Sequence, residues 1–241
     1  MIIEAAFIGV ITFIAAVFGT ITGFGISTIM VPIVLFFYPL PSTLLFVALI
    51  HFAGDIWKII FFKSGIRWKL ILSFGIPGIA ASYLGASLIL SISDVLMKRI
   101  LAVFLLSYVV FVVIKKEWSV PQKTTTGIIG GSLYGFSAGI FGIGGAVRSA
   151  FLTVYNLPKE VYIFTAGAIA LFVDITRIAK YISGGPSVQS FFLITLAVCI
   201  PISLLGAYMA KKVVHQVPQK KFRTIIAVFI GLMAIKLLFI P

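Results

Sequence analysis

Five ionisable residues lie inside long apolar runs of this sequence, in positions where charge is expensive and usually marks a functional site. His51, Asp55 and Lys58 are spaced i, i+4 and i, i+3, so a helix would place them on one face. Asp174 and Arg177 repeat the acid–base spacing 119 residues later. Two readings fit this pattern equally: a pair of structural ion pairs that hold a helix bundle together, and groups that bind a substrate or carry a proton.

Arg148 is a sixth such charge, and it follows a glycine-rich interruption of its apolar run. A guanidinium supplies a permanent charge and a planar fork of donors, which suits an oxyanion. The alternative is that its long side chain reaches the membrane surface from a short helix. We therefore predict that Arg148 binds an anion, and that a side chain that only reached the surface would tolerate lysine.

Pairs of glycines two residues apart interrupt two of the apolar runs, at Gly23 and Gly25 and at Gly142 and Gly144. Irregular backbone at membrane depth is tolerated only where protein or a water-filled cavity covers it, and matching breaks in two halves point to a transporter's substrate site. A helix that restarts after a break offers free N–H groups and its positive dipole end to an anion.

The predicted site therefore has two parts. The anion-binding residues are Gly23, Gly25, Ser27, Thr28, Gly142, Gly144, Gly145, Arg148 and Ser149. The residues predicted to flank the site, to gate it or to couple it to an ion are His51, Asp55, Lys58, Asp174 and Arg177.

Composition defines the class of protein that must position these residues. Of 241 residues, 61% are hydrophobic and only 10% are charged, with a mean hydropathy of +1.21. Several runs approach or exceed the roughly 20 residues that a membrane-spanning helix needs, and they lack the alternation of a membrane β-strand. The chain is thus predicted to be an all-α polytopic membrane protein. Because no basic segment precedes the first apolar run, that run is expected to belong to the mature chain.

The other composition figures argue against further partners. The net charge of +13 comes mostly from lysines and arginines in short loops, where the positive-inside rule accounts for them, so no nucleic-acid partner is predicted. Cys199 is the single cysteine, which excludes an intrachain disulfide and a cysteine-rich metal site. We expect no cofactor and no metal.

The two halves of the chain match in order at an offset of about 119 residues, which indicates an internal duplication. If each glycine-broken run is a hairpin with arms of about 13–18 residues, each half makes three full crossings and most loop cations collect on one side. The prediction is two inverted repeats, each a broken hairpin followed by three transmembrane helices. Residues 1–114 form the first repeat, 115–126 a cytoplasmic linker and 127–241 the second repeat, with a last helix at 222–240 and both termini outside.

The ordered glycine and proline motifs make the whole chain resemble the sulfite exporter TauE/SafE family. The motifs are Gly19-x-x-x-Gly23-x-Gly25 with Pro32, Pro77-Gly78 with Gly85, and Gly139-x-x-Gly142-x-Gly144-Gly145. The resemblance implies a secondary transporter, a permease or exporter of the cytoplasmic membrane. Its implied substrates are sulfite, organosulfonates such as sulfoacetate, or related small anions.

Two other functions fit part of the pattern. A passive anion channel would share every feature of the site. An intramembrane aspartyl protease could use Asp55 and Asp174, but each aspartate has a base one turn away that favours its ionised form, whereas a protease pair must share a proton. We therefore predict that the protein is not an enzyme, and that its partners are a small anion and the lipid bilayer.

Overall fold

The computed structural model describes residues 2–63, 65–89, 92–114, 120–185 and 190–216, with 231–232, 234–235 and 238–239. Within these residues all regular structure is helical, which confirms the predicted all-α class. The helices are α1 (Ile2–Thr22), α2 (Ser27–Val34), α3 (Leu40–Phe61), α4 (Trp68–Ile89), α5 (Asp94–Ile114), α6 (Thr124–Phe141), α7 (Gly145–Leu152), α8 (Lys159–Ser183) and α9 (Ser190–Val213), with a 3-10 turn at Thr153–Tyr155.

In the described part of the chain, five helices are long and apolar enough to cross a membrane by length and composition: Ile3–Thr22, Leu40–Phe61, Trp68–Ile89, Lys159–Ser183 and Phe192–Val213. Most of the predicted helix at 222–240 lies outside the described residues, as do residues 115–119 of the predicted linker. Helix α6 begins at Thr124, inside the stretch predicted as linker.

The first glycine-broken run folds back on itself as predicted. At the break, the Gly25 N–H donates to the Gly19 carbonyl across 3.1 Å. At the open end, the rings of Phe7 and Phe37 have their centres 5.8 Å apart. The chain after the break therefore returns along α1 towards the side on which it began.

The second glycine-broken run does the same. The Tyr155 hydroxyl, just beyond α7, donates to the carbonyl of Lys123, just before α6, across 2.7 Å. The Gln122 side-chain amide also donates to the Val154 carbonyl across 2.7 Å. Both ends of this hairpin therefore lie at one level.

The prediction that every hairpin arm has 13–18 residues is wrong for three of the four arms. The outgoing arms α1 and α6 have 21 and 18 residues, whereas the return arms α2 and α7 have eight each. Eight helical residues rise only about 12 Å. Pro39 and Pro158 start the next long helices and limit the return arms, and Asn156 turns the chain with a left-handed φ of 47°.

Helix pairing relates the two halves. Helix α1 packs on α9 as α6 packs on α4, while α3 packs on α8. The pairs α3–α9 and α4–α8 are related in the same way. Exchanging α1 with α6, α3 with α8 and α4 with α9 therefore reproduces these five pairs. Such an exchange is what two structurally equivalent halves produce.

Glycines let α6 lie against the backbone of α4. A methyl group added at Gly131 would overlap the carbonyl of Phe74, and one added at Gly135 would overlap the carbonyl of Gly78. Contacting residue numbers rise together along both helices, so the two run parallel. This is the close packing that small-residue stripes allow in membranes, and it holds the second hairpin in place.

Candidate functional site

The two glycine breaks contact each other in the interior. Gly23, Gly25 and Gly142 have φ values of +72°, +80° and +69°, in the left-handed region that favours glycine. A methyl group at Gly145, the first residue of α7, would overlap the carbonyl of Phe24 in the other break. The fold therefore joins the two predicted halves of the anion site at one point.

Arg148 lies at this junction and is 0% exposed, which contradicts the alternative that its side chain reaches the membrane surface. Its Nη2 donates to the Gly23 carbonyl across 3.0 Å, and its Nη1 donates to the Tyr134 hydroxyl across 3.2 Å. The guanidinium carbon also lies 5.0 Å from the centre of the Tyr134 ring. Across the described residues, its Nε has no hydrogen-bond partner and no carboxylate lies within 4.0 Å. The protein groups that contact this guanidinium are therefore a carbonyl, a hydroxyl and an aromatic ring face, none of which carries a full negative charge.

The two return helices start at the junction without a side-chain cap, as judged over the described part of the chain. By helix geometry their first N–H groups have no partner within the helix. Two of the predicted ligands make contacts within the protein: the Thr28 hydroxyl donates to the Phe24 carbonyl across 2.9 Å, and the Ser149 hydroxyl lies 2.9 Å from that of Tyr162. Ser27 is the buried first residue of α2.

Both predicted ion pairs are present, and a histidine joins them. Lys58 Nζ lies 2.7 Å from Asp55 Oδ1, and Arg177 Nε lies 2.8 Å from Asp174 Oδ1. His51 Nδ1 lies 3.0 Å from the second oxygen of Asp55 and 2.7 Å from that of Asp174. All five side chains are buried, so α3 and α8 are linked by one chain of polar contacts.

This ion cluster contacts both breaks. Arg177 Nη1 donates to the Gly142 carbonyl across 3.0 Å. At the other break, a methyl group on Gly25 would overlap His51 Nε2. The residues predicted to bind an anion and those predicted to flank it therefore form one continuous buried site.

The donor set of His51, Asp55 and Asp174 could in principle hold a metal, because one ligand atom from each lies within 4.8 Å of the others. Lys58 and Arg177 already balance the two carboxylates at 2.7 and 2.8 Å. A divalent ion here would be surrounded by excess positive charge, so this donor set does not suit a metal.

Comparison with known proteins identifies the family. The family model described as Sulfite exporter TauE/SafE matches residues 8–237. The chain belongs to the sulfite exporter TauE/SafE family. It is also 25% identical to a protein of Methanocaldococcus jannaschii named "Probable membrane transporter protein MJ0441", over 95% of this chain and 93% of that protein. This TauE/SafE protein is accordingly a membrane transporter and not an enzyme.

Three tyrosines that were not predicted from the sequence also contact the candidate site of this TauE/SafE protein. Tyr134 contacts Arg148, as described above. Tyr162 fills the space beside Gly23, where a methyl group would overlap its ring, and the Tyr181 hydroxyl donates to the Gly139 carbonyl across 2.5 Å. The available signal was a phenol group within an apolar membrane run, where a buried hydroxyl needs a partner.

The site is closed to solvent in this TauE/SafE structure, since His51, Arg148 and Arg177 are at most 2% exposed. A separate cavity of about 660 Å³ opens at the surface, between the α3–α4 loop and the start of α6. Arg67, Lys69 and Lys123 line it. The predicted site and this basic surface cavity are therefore distinct features.

Proposed function

We propose that the protein is a secondary transporter, a permease or exporter of small sulfur oxyanions or organosulfonates such as sulfite or sulfoacetate, in the cytoplasmic membrane. The anion binds where the two hairpin breaks meet, next to Arg148. The observation that carries this proposal is a buried guanidinium that no described carboxylate balances.

Charge balance favours an anion as the missing partner. In the part of the chain that the structure describes, the buried charged side chains are Lys58, Arg148 and Arg177 against Asp55 and Asp174. With a neutral histidine the site has one uncompensated positive charge. A buried unpaired charge is strongly unfavourable, so binding a small anion here relieves a deficit that the protein itself leaves open.

The donors around the site suit an oxyanion in particular. These donors are the unpartnered Nε of Arg148 and the uncapped starts of α2 and α7. Sulfite and sulfonate groups have three oxygens that can each accept a hydrogen bond, and helix starts with arginine are well suited to such groups.

Transport requires the closed site to open on alternate sides, and the proposed inverted repeats provide for this. Residues 1–114 and 127–241 would insert in opposite orientations, with both termini outside and the 115–126 linker cytoplasmic. Hairpins that return to their starting side and the exchangeable helix pairing support this arrangement. In transporters of this kind, one repeat or bundle rocks against the other around a fixed midplane site.

A binding screen on detergent-purified protein tests the proposal. Sulfite, sulfoacetate, chloride and a neutral sulfone of similar size would be added separately, and the thermal unfolding midpoint measured. Because a ligand of the folded state stabilises it in proportion to occupancy, sulfite or sulfoacetate should raise the midpoint progressively with concentration while the neutral sulfone does not. Equal midpoints with and without either sulfur anion would refute the proposed substrate class.

A further inference from the structure

One ring nitrogen of His51 has no role in the contacts described so far. Nδ1 lies between two carboxylate oxygens, at 3.0 Å from Asp55 and 2.7 Å from Asp174, whereas Nε2 is buried and has no hydrogen-bond partner among the described residues. Carboxylate oxygens only accept, so Nδ1 must carry a hydrogen. In the neutral ring Nε2 then has a free lone pair, and in the charged ring it has a second N–H.

Nε2 faces the first glycine break. A methyl group on Gly25 would overlap it, and the backbone there has a φ of +80°. Two residues earlier along the same break, the Gly23 carbonyl accepts a hydrogen bond from Arg148. Arg148 and His51 Nε2 therefore both contact the first break, Arg148 from the second hairpin and His51 from α3.

We infer that His51 is the proton carrier of this transporter, and that it binds a proton together with the anion. The inference rests on the proposed function. A proton that enters the site takes the lone pair of Nε2, which adds one positive charge and one N–H donor at the break. The bound anion accepts from that N–H, and deprotonation to water after the site opens on the other side restores the neutral ring. Proton and anion then cross in the same direction.

The groups around His51 leave it as the one that changes charge. On its own helix it meets Asp55, which is paired with Lys58, and on α8 it meets Asp174, which is paired with Arg177. Each carboxylate already pairs with a cationic side chain. Histidine is the side chain whose ordinary titration lies between pH 5 and 8.

The other elements packed near α3 add little to this balance. Helix α2 has no ionisable side chain, and α7 brings only Arg148. The charges of α9 are Lys211 and Lys212 in its last turn, and Lys211 Nζ lies 6.0 Å from the ring of Phe61 at the end of α3. Proton uptake at His51 therefore changes the charge of the site from one excess positive to two.

Linked binding gives a quantitative expectation. If one proton is taken up with each anion, affinity falls about tenfold for each unit of rising pH, because one proton must be supplied from an ever lower concentration. If the free protein already carries that proton, the affinity no longer depends on pH.

Calorimetry with sulfite and sulfoacetate between pH 5.5 and 8.5 tests the inference. Sulfite itself ionises in this pH range, and that contribution to the pH dependence cancels when native protein is compared with a His51→Asn variant. Asparagine is chosen because its amide can still donate a hydrogen bond near the position of Nδ1. The native affinity should fall about tenfold per pH unit relative to this variant. His215→Asn is the matched control, since His215 is the second histidine and lies exposed beside Glu160 at 3.5 Å; it should behave as native.

A measurement on native protein alone avoids dependence on a variant that fails to fold. Repeating the calorimetry with sulfoacetate in buffers of different ionisation enthalpy gives the number of protons taken up, which should approach one per anion in the pH range where the affinity falls. No proton uptake, or the same pH dependence in native protein and His51→Asn, would overturn the inference while leaving anion binding intact. If neither anion binds the native protein at any pH, the proposed function itself fails and the inference falls with it.

Discussion

Replacing Arg148 by glutamine removes the one buried cation among the described residues that has no acidic partner. Arg148 donates to Gly23 across 3.0 Å and to Tyr134 across 3.2 Å, so its guanidinium is fixed before any anion arrives. Loss of a charged hydrogen-bonding partner to a buried anion costs about 2–5 kcal/mol, or roughly 30- to several-thousand-fold in Kd. We expect Arg148→Gln to weaken sulfite or sulfoacetate binding by this factor.

Arg148→Lys separates charge from geometry. Lysine keeps the positive charge, but its single nitrogen cannot contact Gly23, Tyr134 and an anion as a planar fork does. Loss of one hydrogen bond to a charged group costs about 1.5–3 kcal/mol, so affinity should fall roughly 10- to 150-fold. The lysine variant is therefore expected to lie between native protein and Arg148→Gln.

The assay is isothermal calorimetry on detergent-purified protein, with each variant's unfolding midpoint measured without ligand as a check of folding. Arg99→Gln is the matched control, because Arg99 is exposed and lies outside the site. A third variant, Arg148→Ala, leaves a space at the junction, and added guanidinium should partly restore its binding. Near-native affinity in Arg148→Gln, or rescue failure in a folded Arg148→Ala, would remove Arg148 from the site.

Three further predictions concern the framework. Asp174→Asn leaves Arg177 buried beside a neutral amide and should lower the free energy of unfolding, measured by denaturation, by about 3–5 kcal/mol. The control is Asp94→Asn, which breaks an ion pair of 3.4 Å whose carboxylate is half-exposed. It should change the free energy of unfolding by less than about 1 kcal/mol. Gly135→Ala places a methyl group on the Gly78 carbonyl and should lower the thermal unfolding midpoint. Gly75→Ala, whose added methyl group would have its nearest atom 3.9 Å away, should leave the midpoint unchanged or raise it. Equal effects of the two substitutions would refute the α4–α6 packing described above. Single cysteines at Ser183 and Thr125, both exposed positions, test the topology in a Cys199→Ser background. In intact cells an impermeant thiol reagent should label the cysteine at 183, on the outside, but not the one at 125, on the inside. The reverse pattern would overturn the proposed topology.

Local spacing is why much of the site could be predicted from the sequence. The ion pairs Asp55–Lys58 and Asp174–Arg177 follow from i, i+3 spacing on a helix. The hairpins follow from glycines in runs that lipid would otherwise force to be helical. These features depend on a few neighbouring residues, so no knowledge of the tertiary structure was needed.

Contacts between distant segments could not be predicted in the same way. The bond from His51 to Asp174 joins residues 123 apart, and only the packing of α3 on α8 brings them together. The duplication gave no help either, because its offset of 119 aligns His51 with Ala170 and Arg148 with Ile29. The eight-residue return arms were also missed, since hydropathy continues through the turn after each short helix and does not reveal where that helix ends.

Counterflow in proteoliposomes tests the central claim most directly. Vesicles with the purified protein would be loaded with unlabelled sulfoacetate or sulfite, and uptake of the same anion, labelled with ³⁵S, would be followed from a dilute outside solution. An alternating-access carrier exchanges internal for external anion, so the label should accumulate transiently above its equilibrium level with native protein and Arg99→Gln, and not with Arg148→Gln. A monotonic rise to equilibrium would show a passive channel, and no entry above that of protein-free vesicles would contradict anion transport altogether.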